Sequence, residues 1–137
     1  MATNLQRRAS CVILCTTMAL ANGCASSRAA APQRPARINH VVLFKLHDPS
    51  DAGELIVDCD TKLGAVPGVR SYFAGPPIDT GRGERVAGDY HVGFYVGFDS
   101  PADYLAYVDH PNHVAVVQKW RLRLQWLRAF DVIDDSP

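Results

Sequence analysis

Residues Tyr90 to Phe98 alternate strictly, and that alternation constrains the fold more than any other stretch of the chain. Tyr90, Val92, Phe94, Val96 and Phe98 fall on one side of an extended backbone, and His91, Gly93, Tyr95 and Gly97 on the other. A period of two with one wholly apolar or aromatic side predicts a strand packed against something large. A second run, Ile38-Asn39-His40-Val41-Val42-Leu43-Phe44-Lys45-Leu46, predicts another strand and is apolar on both faces. A sheet built on these two strands needs cover on each side, because a bare stripe of this size is too large for the surface of a soluble monomer. Helices supply one cover, and a second copy placed by a two-fold axis supplies the other. The expectation is a homodimer.

The remaining elements follow from punctuation. Asp48-Pro49-Ser50 offers caps for a helix whose apolar stripe is Leu55, Ile56, Cys59, Leu63 and Val66. Val66-Pro67-Gly68 ends that helix, Val69 to Ala74 is a strand, and Gly75 to Gly88 is a polar loop. After the strand Tyr90–Phe98, Ser100-Pro101-Ala102-Asp103 starts a helix carrying Tyr104, Leu105, Tyr107 and Val108, which must bend or stop at His110-Pro111. A further helix from Asn112 or His113 shows Val116, Val117, Trp120 and Leu124. A last strand runs from about Trp126 to Ile133, before a tail over 134–137. The order β-α-β-β-α-β predicts an α+β, ferredoxin-like domain over 38–133, with a four-stranded antiparallel sheet carrying its helices on one face.

The first 37 residues read differently. Arg7 and Arg8 precede an uncharged run from Ala9 to Leu20, the pattern of a secretory signal and too short for a spanning helix, which needs roughly 20 apolar residues. Leu20-Ala21-Asn22-Gly23-Cys24 resembles a bacterial lipobox, with residues 1–23 removed and Cys24 lipidated as the sole contact with the membrane. Ala19-Leu20-Ala21 alternatively suits cleavage that releases a soluble protein. Ser26 to Arg37, rich in Ala, Ser, Pro and Arg, completes a flexible tether over 24–37. Of the four cysteines only Cys59 is then left in the fold, on an apolar helix stripe, and it reads as a core residue. The whole chain has 14 basic and 14 acidic residues. Without the first 23 residues, which hold two arginines and no acid, the balance is 12 against 14, a net of −2. That leaves no electrostatic footprint for nucleic acid.

If the aromatic stripe of the third strand meets the partner, His40 and His91 look toward the helices, where Tyr107 and His113 also point. Val42, Phe44, Gly93 and Tyr95 then line the same space, with glycines at 93 and 97 leaving room. Imidazoles and a phenol around an apolar space suit a small-ligand pocket with acid–base capacity. His40, His91, His110 and His113 do not make a convincing metal set, since no Cys or carboxylate completes it. No metal or other cofactor is expected. His110 reads as an exposed residue at a helix C-terminus and His47 as a loop residue.

The chain resembles the stress-responsive dimeric α/β-barrel (Dabb) domains over residues 37–133. The resemblance rests on Ile38-Asn39-His40-Val41-Val42-Leu43-Phe44-Lys45, Asp89-Tyr90-His91, the stretch Tyr104 to His113 with its His110-Pro111-Asn112-His113, and Phe130-Asp131. It implies a two-fold dimer whose sheets face one another as a barrel, and a cavity between sheet and helices in each subunit. Most members have no established activity. A plant member is a polyketide cyclase acting through an early strand His, a helix Tyr and the second His of His-Pro-x-His, positions matched by His40, Tyr107 and His113. The chain departs from that cyclase at Gly93 and Ala129, which are smaller than its pocket residues, so the substrate pocket does not carry over. Ligand binding, acid–base catalysis of the aldol or lyase type, and a structural interaction module remain three separate readings at this stage.

Overall fold

The computed structural model describes residues 32–83 and 88–136. The expected export segment, Cys24 and the first part of the tether lie outside them. The elements are β1 (Ile38–Leu46), a 3-10 turn (Pro49–Asp51), α1 (Ala52–Asp58) continuing through a wider turn (Cys59–Leu63), β2 (Val69–Gly75), β3 (Val92–Phe98), α2 (Pro101–Val108), α3 (Pro111–Trp120) and β4 (Leu124–Ile133). All pairings are antiparallel in the order β2-β3-β1-β4, so the two apolar strands β1 and β3 are the inner ones. This is the predicted ferredoxin-like arrangement.

The caps explain where the helices begin. Asp48 Oδ1 accepts the Ser50 amide at 2.9 Å ahead of the first turn. Ser100 Oγ accepts the Asp103 amide at 3.2 Å and donates to the Asp103 carboxylate at 2.6 Å, with Pro101 opening α2. His110 caps α3: its Nδ1 accepts the Asn112 amide at 3.2 Å, so it serves the helix that follows it rather than the end of the one before. Leu55, Cys59 and Leu63 are buried along α1 and the turn after it, where the Gly64 amide bonds the Cys59 carbonyl at 3.0 Å, an i→i+5 closure. Gly68 has φ of 89°, a left-handed turn that glycine takes without a steric penalty.

Register corrects the expected faces. His40 lies opposite Val96, Val42 opposite Phe94, and Phe44 opposite Val92. Cross-strand partners share a face, so the aromatic stripe of β3 and the even positions of β1 look the same way. That way is toward the helices: Val92, Val96 and Phe98 are fully buried and Phe94 nearly so. His91, Gly93 and Tyr95 therefore belong to the other side, away from His40. Two boundaries also moved. Regular β3 starts at Val92, although the His91 amide still bonds the Phe44 carbonyl at 2.8 Å and His91 Nδ1 accepts the Leu46 amide at 3.1 Å. Leu124 opens β4 instead of closing α3, and Val117 is half exposed.

Over its last residues the expected tether is held against the sheet. Ser71 Oγ donates to the Pro35 carbonyl at 3.2 Å, Arg34 pairs with Asp134, and the Asp134 amide bonds the Arg37 carbonyl at 2.7 Å. Ala36 is buried over Gly97, where an added Cβ would lie 2.5 Å from both the Ala36 methyl and the Tyr95 hydroxyl. The space over Gly97 is thus taken by Tyr95 and Ala36 and is no ligand site.

Candidate functional site

A cavity of about 560 Å³ opens between the helix face of the sheet and α3. Its size lies within the range typical of small-molecule sites. Strand β1 contributes His40, Val42 and Phe44, β3 contributes Phe94, α2 contributes Tyr107, and α3 contributes His113, Val116, Val117 and Trp120. Leu63, Arg121, Leu124, Gln125, Trp126, Leu127 and Ala129 complete the lining. Of the residues expected in a pocket, His40, Val42, Phe44, Tyr107 and His113 are brought together. His91, Gly93 and Tyr95 lie on the opposite side of the sheet, where Tyr95 donates to Asn39 Oδ1 at 2.8 Å and stacks on Phe73.

Three polar groups, His40, Tyr107 and His113, line the same cavity. His40 is directly across from Asp131 in the β1–β4 register, and its Nδ1 lies 2.6 Å from Asp131 Oδ1. A carboxylate only accepts, so Nδ1 carries the proton and Nε2 is the remaining ring nitrogen. Tyr104 donates to the same carboxylate at 3.2 Å and packs its ring 5.4 Å from the imidazole, which fixes both members of the pair. The two nitrogens of His113 are divided in the same manner. Its Nδ1 donates to the Val108 carbonyl at 2.9 Å, across the α2–α3 bend created by His110-Pro111. Burial lowers the His113 pKa below the ordinary imidazole value, the Val108 bond opposes this, and the charge of His40 adds to the lowering. His113 is therefore neutral at pH 7, with Nε2 an acceptor.

Tyr107 sits between these elements. It is almost completely buried, with its ring 4.8 Å from His113 and 5.1 Å from Phe98. Burial, reinforced by Cys59 and Tyr104 nearby, pushes its phenol pKa up. The hydroxyl stays protonated and is a donor. Cys59 is itself fully buried, and burial pushes its thiol up to about 12, which makes it an inert core residue. Among the described residues no three His, Cys, Asp or Glu side chains gather as a metal site, and no helix is long and apolar enough to cross a membrane.

The outer wall rests on a group the sequence reading passed over. Trp120 donates through Nε1 to Asp58 Oδ2 at 2.9 Å, and the Arg123 guanidinium covers its ring at 4.1 Å. Asp58 also takes Lys62 at 2.8 Å and Lys119 at 2.5 Å. Its position three residues after Leu55, on the buried side of α1, was the available signal. Asp131 carried a similar one: it stands between Ala129-Phe130 and Val132-Ile133 in β4.

The fold and this site define an α+β domain with a histidine- and tyrosine-lined cavity between its sheet and its helices. The chain belongs to the Dabb family, the stress responsive A/B barrel domains, whose family model matches residues 38–134. A Dabb family protein with a ferredoxin-like fold from Mesorhizobium loti MAFF303099 is 30% identical at a TM-score of 0.61, over 72% of this chain and 97% of that one. A dimeric ferredoxin-like protein of unknown function from Thermobifida fusca YX is 24% identical at a TM-score of 0.60, over 71% of this chain and 90% of that one. The hydroxynitrile lyase of Passiflora edulis shares the fold at 15% identity and a TM-score of 0.63, over 76% of this chain and 98% of that one. No curated protein matches the chain.

Proposed function

We propose that this protein is an exported Dabb domain, anchored by lipid at Cys24, that binds a small apolar or aromatic molecule in the cavity between sheet and helices. One observation carries the reading: two imidazoles, each tied through Nδ1 to a protein acceptor, and one phenol meet in a single apolar cavity. The test is ligand-induced stabilisation. Aromatic acids and quinones are expected to raise the melting temperature in wild type and less in His113→Ala. If no such compound stabilises the protein at millimolar concentration, the pocket reading fails and the structural interaction module is what remains.

A homodimer is part of the proposal. The sheet face opposite the helices carries Val41, Leu43, Phe73, Tyr95, Phe130 and Val132, with Phe73, Phe130 and Val132 each half exposed or more. A second copy covers them. Light scattering at micromolar concentration should give twice the chain mass, and a monomer overturns this part. The anchor is supported by Arg7-Arg8, the run Ala9–Leu20 and Leu20-Ala21-Asn22-Gly23-Cys24. Metabolic labelling with palmitate should mark wild type and not Cys24→Ser. Labelling of neither, with a mature N-terminus after Ala21, indicates the soluble exported form instead.

The His40–Asp131 pair favours a second reading, an acid–base enzyme of the cyclase or lyase type. In it, Nε2 of one imidazole removes a proton alpha to a carbonyl, and the Tyr107 hydroxyl donates to the oxyanion that develops. Turnover unchanged in both His40→Gln and His113→Ala, on any substrate found, would end it.

A further inference from the structure

We infer that the cavity selects amphiphilic anions, a carboxylate or equivalent head paired with Arg121 at the mouth and an apolar body inside. This rests on the pocket reading above and adds the class of ligand. No Asp or Glu contributes to the lining, and Arg121 is its one permanent cation. The neighbouring bases are already committed: Lys119 to Glu54 and Asp58, Arg123 to Asp51 and Glu54. Among the described residues Arg121 has no acidic partner in the protein, although it sits at the C-terminal end of α3, one residue past Trp120. A guanidinium at the rim of an apolar cavity offers a planar fork that matches a carboxylate in two hydrogen bonds. The polar groups of the lining also differ in kind: Tyr107 offers a neutral phenol donor and His113 a neutral imidazole acceptor, which suit a hydroxyl or carbonyl, while exposed Arg121 supplies the fixed charge for the head group.

The chain has two tryptophans, Trp120 and Trp126, and both line the cavity, so intrinsic emission reports occupancy directly. The probes are 4-phenylbutanoate and its neutral counterpart 4-phenylbutan-1-ol, titrated into the full chain with excitation at 295 nm. Wild type should bind the acid about fivefold more tightly than the alcohol, the scale expected for a partly exposed charge pair. Arg121→Gln should remove that preference while leaving alcohol binding unchanged, and Arg121→Glu should reverse it. High salt should weaken the acid and not the alcohol. Equal binding of acid and alcohol in wild type, or a preference that survives in Arg121→Gln, overturns the inference and leaves the pocket reading standing. Binding of neither probe overturns both.

Discussion

Replacing Asp58 by asparagine tests whether the wall of the cavity is held by charge. Asp58 is 7% exposed and accepts from Lys119, Lys62 and Trp120. Burial alone would raise its pKa, but the three donors outweigh burial and hold it near about 2 instead of 3.8. At about 1.4 kcal/mol per pKa unit, the ionised carboxylate contributes about 2 kcal/mol to folding at neutral pH. The folded pKa lies below the unfolded one. The contribution is therefore complete above pH 4 or so and is lost as the pH falls toward about 2.

Asparagine keeps an oxygen to accept from the Trp120 indole while removing the charge. Asp58→Asn should cost about 2 kcal/mol at pH 7, a melting temperature lower by about 10 °C for a domain of this size. The assay is urea unfolding by circular dichroism at pH 7, 4, 3 and 2 on both proteins. Their difference isolates Asp58 from the other carboxylates that titrate in that range, and it should shrink toward zero near pH 2. Asp58→Leu should cost a further 1–3 kcal/mol or so at every pH, because it also strands the buried indole N–H. A difference below about 0.5 kcal/mol at pH 7, or one that stays constant down to pH 2, refutes the reasoning.

Three other outcomes follow from the same geometry. Tyr107→Phe should change stability by less than about 0.5 kcal/mol, since no hydrogen bond among the described residues engages the hydroxyl, whereas Tyr107→Ala should cost about 3–5 kcal/mol by opening a hole beside Phe98 and His113; thermal melts of the two separate the ring from its oxygen. The His113 Cε1 proton resonance should titrate with a midpoint below the ordinary 6.5, so any stability gained from its neutral form is present above that value and lost as the pH falls through the lowered midpoint; a midpoint at or above 6.5 contradicts the burial assigned to it. Gly97→Val should destabilise by about 1–3 kcal/mol in chemical denaturation, because Tyr95, Ala36 and Ser71 already occupy the space a side chain needs.

Element order, the helix starts and most of the core were legible in the sequence because each has a local cause. The Ser100-Pro101-Ala102-Asp103 cap and the alternation through Phe98 act over a few residues and need no knowledge of the rest of the chain. The faces of the sheet were not legible. β1 and β3 are both apolar on one side and nearly so on the other, and a one-residue change of register exchanges those sides. Only the pairing of Val42 with Phe94 settles that the aromatic stripe meets the helices, and this moved His91, Gly93 and Tyr95 out of the cavity.

His40, Tyr107 and His113 survived that change for different reasons. His40 shares its face with Val42 and Phe44, so it follows β1 wherever the helices pack. Tyr107 and His113 are set by the break at His110-Pro111, which turns α2 into α3 and lets His113 reach the Val108 carbonyl. Asp58 went unread and Asp131 entered only as part of the family resemblance, with no role, because their partners are distant in sequence: Trp120 is 62 residues from Asp58, and His40 is 91 residues from Asp131. An acid at a buried position is costly without a donor, so its presence in an apolar stripe predicts that a donor exists. The stripe alone does not say which donor. For buried Asp58 the donor is Trp120, while the more exposed Asp131 takes His40; both partners are cavity residues, so each acid fixes a side chain that lines the candidate site.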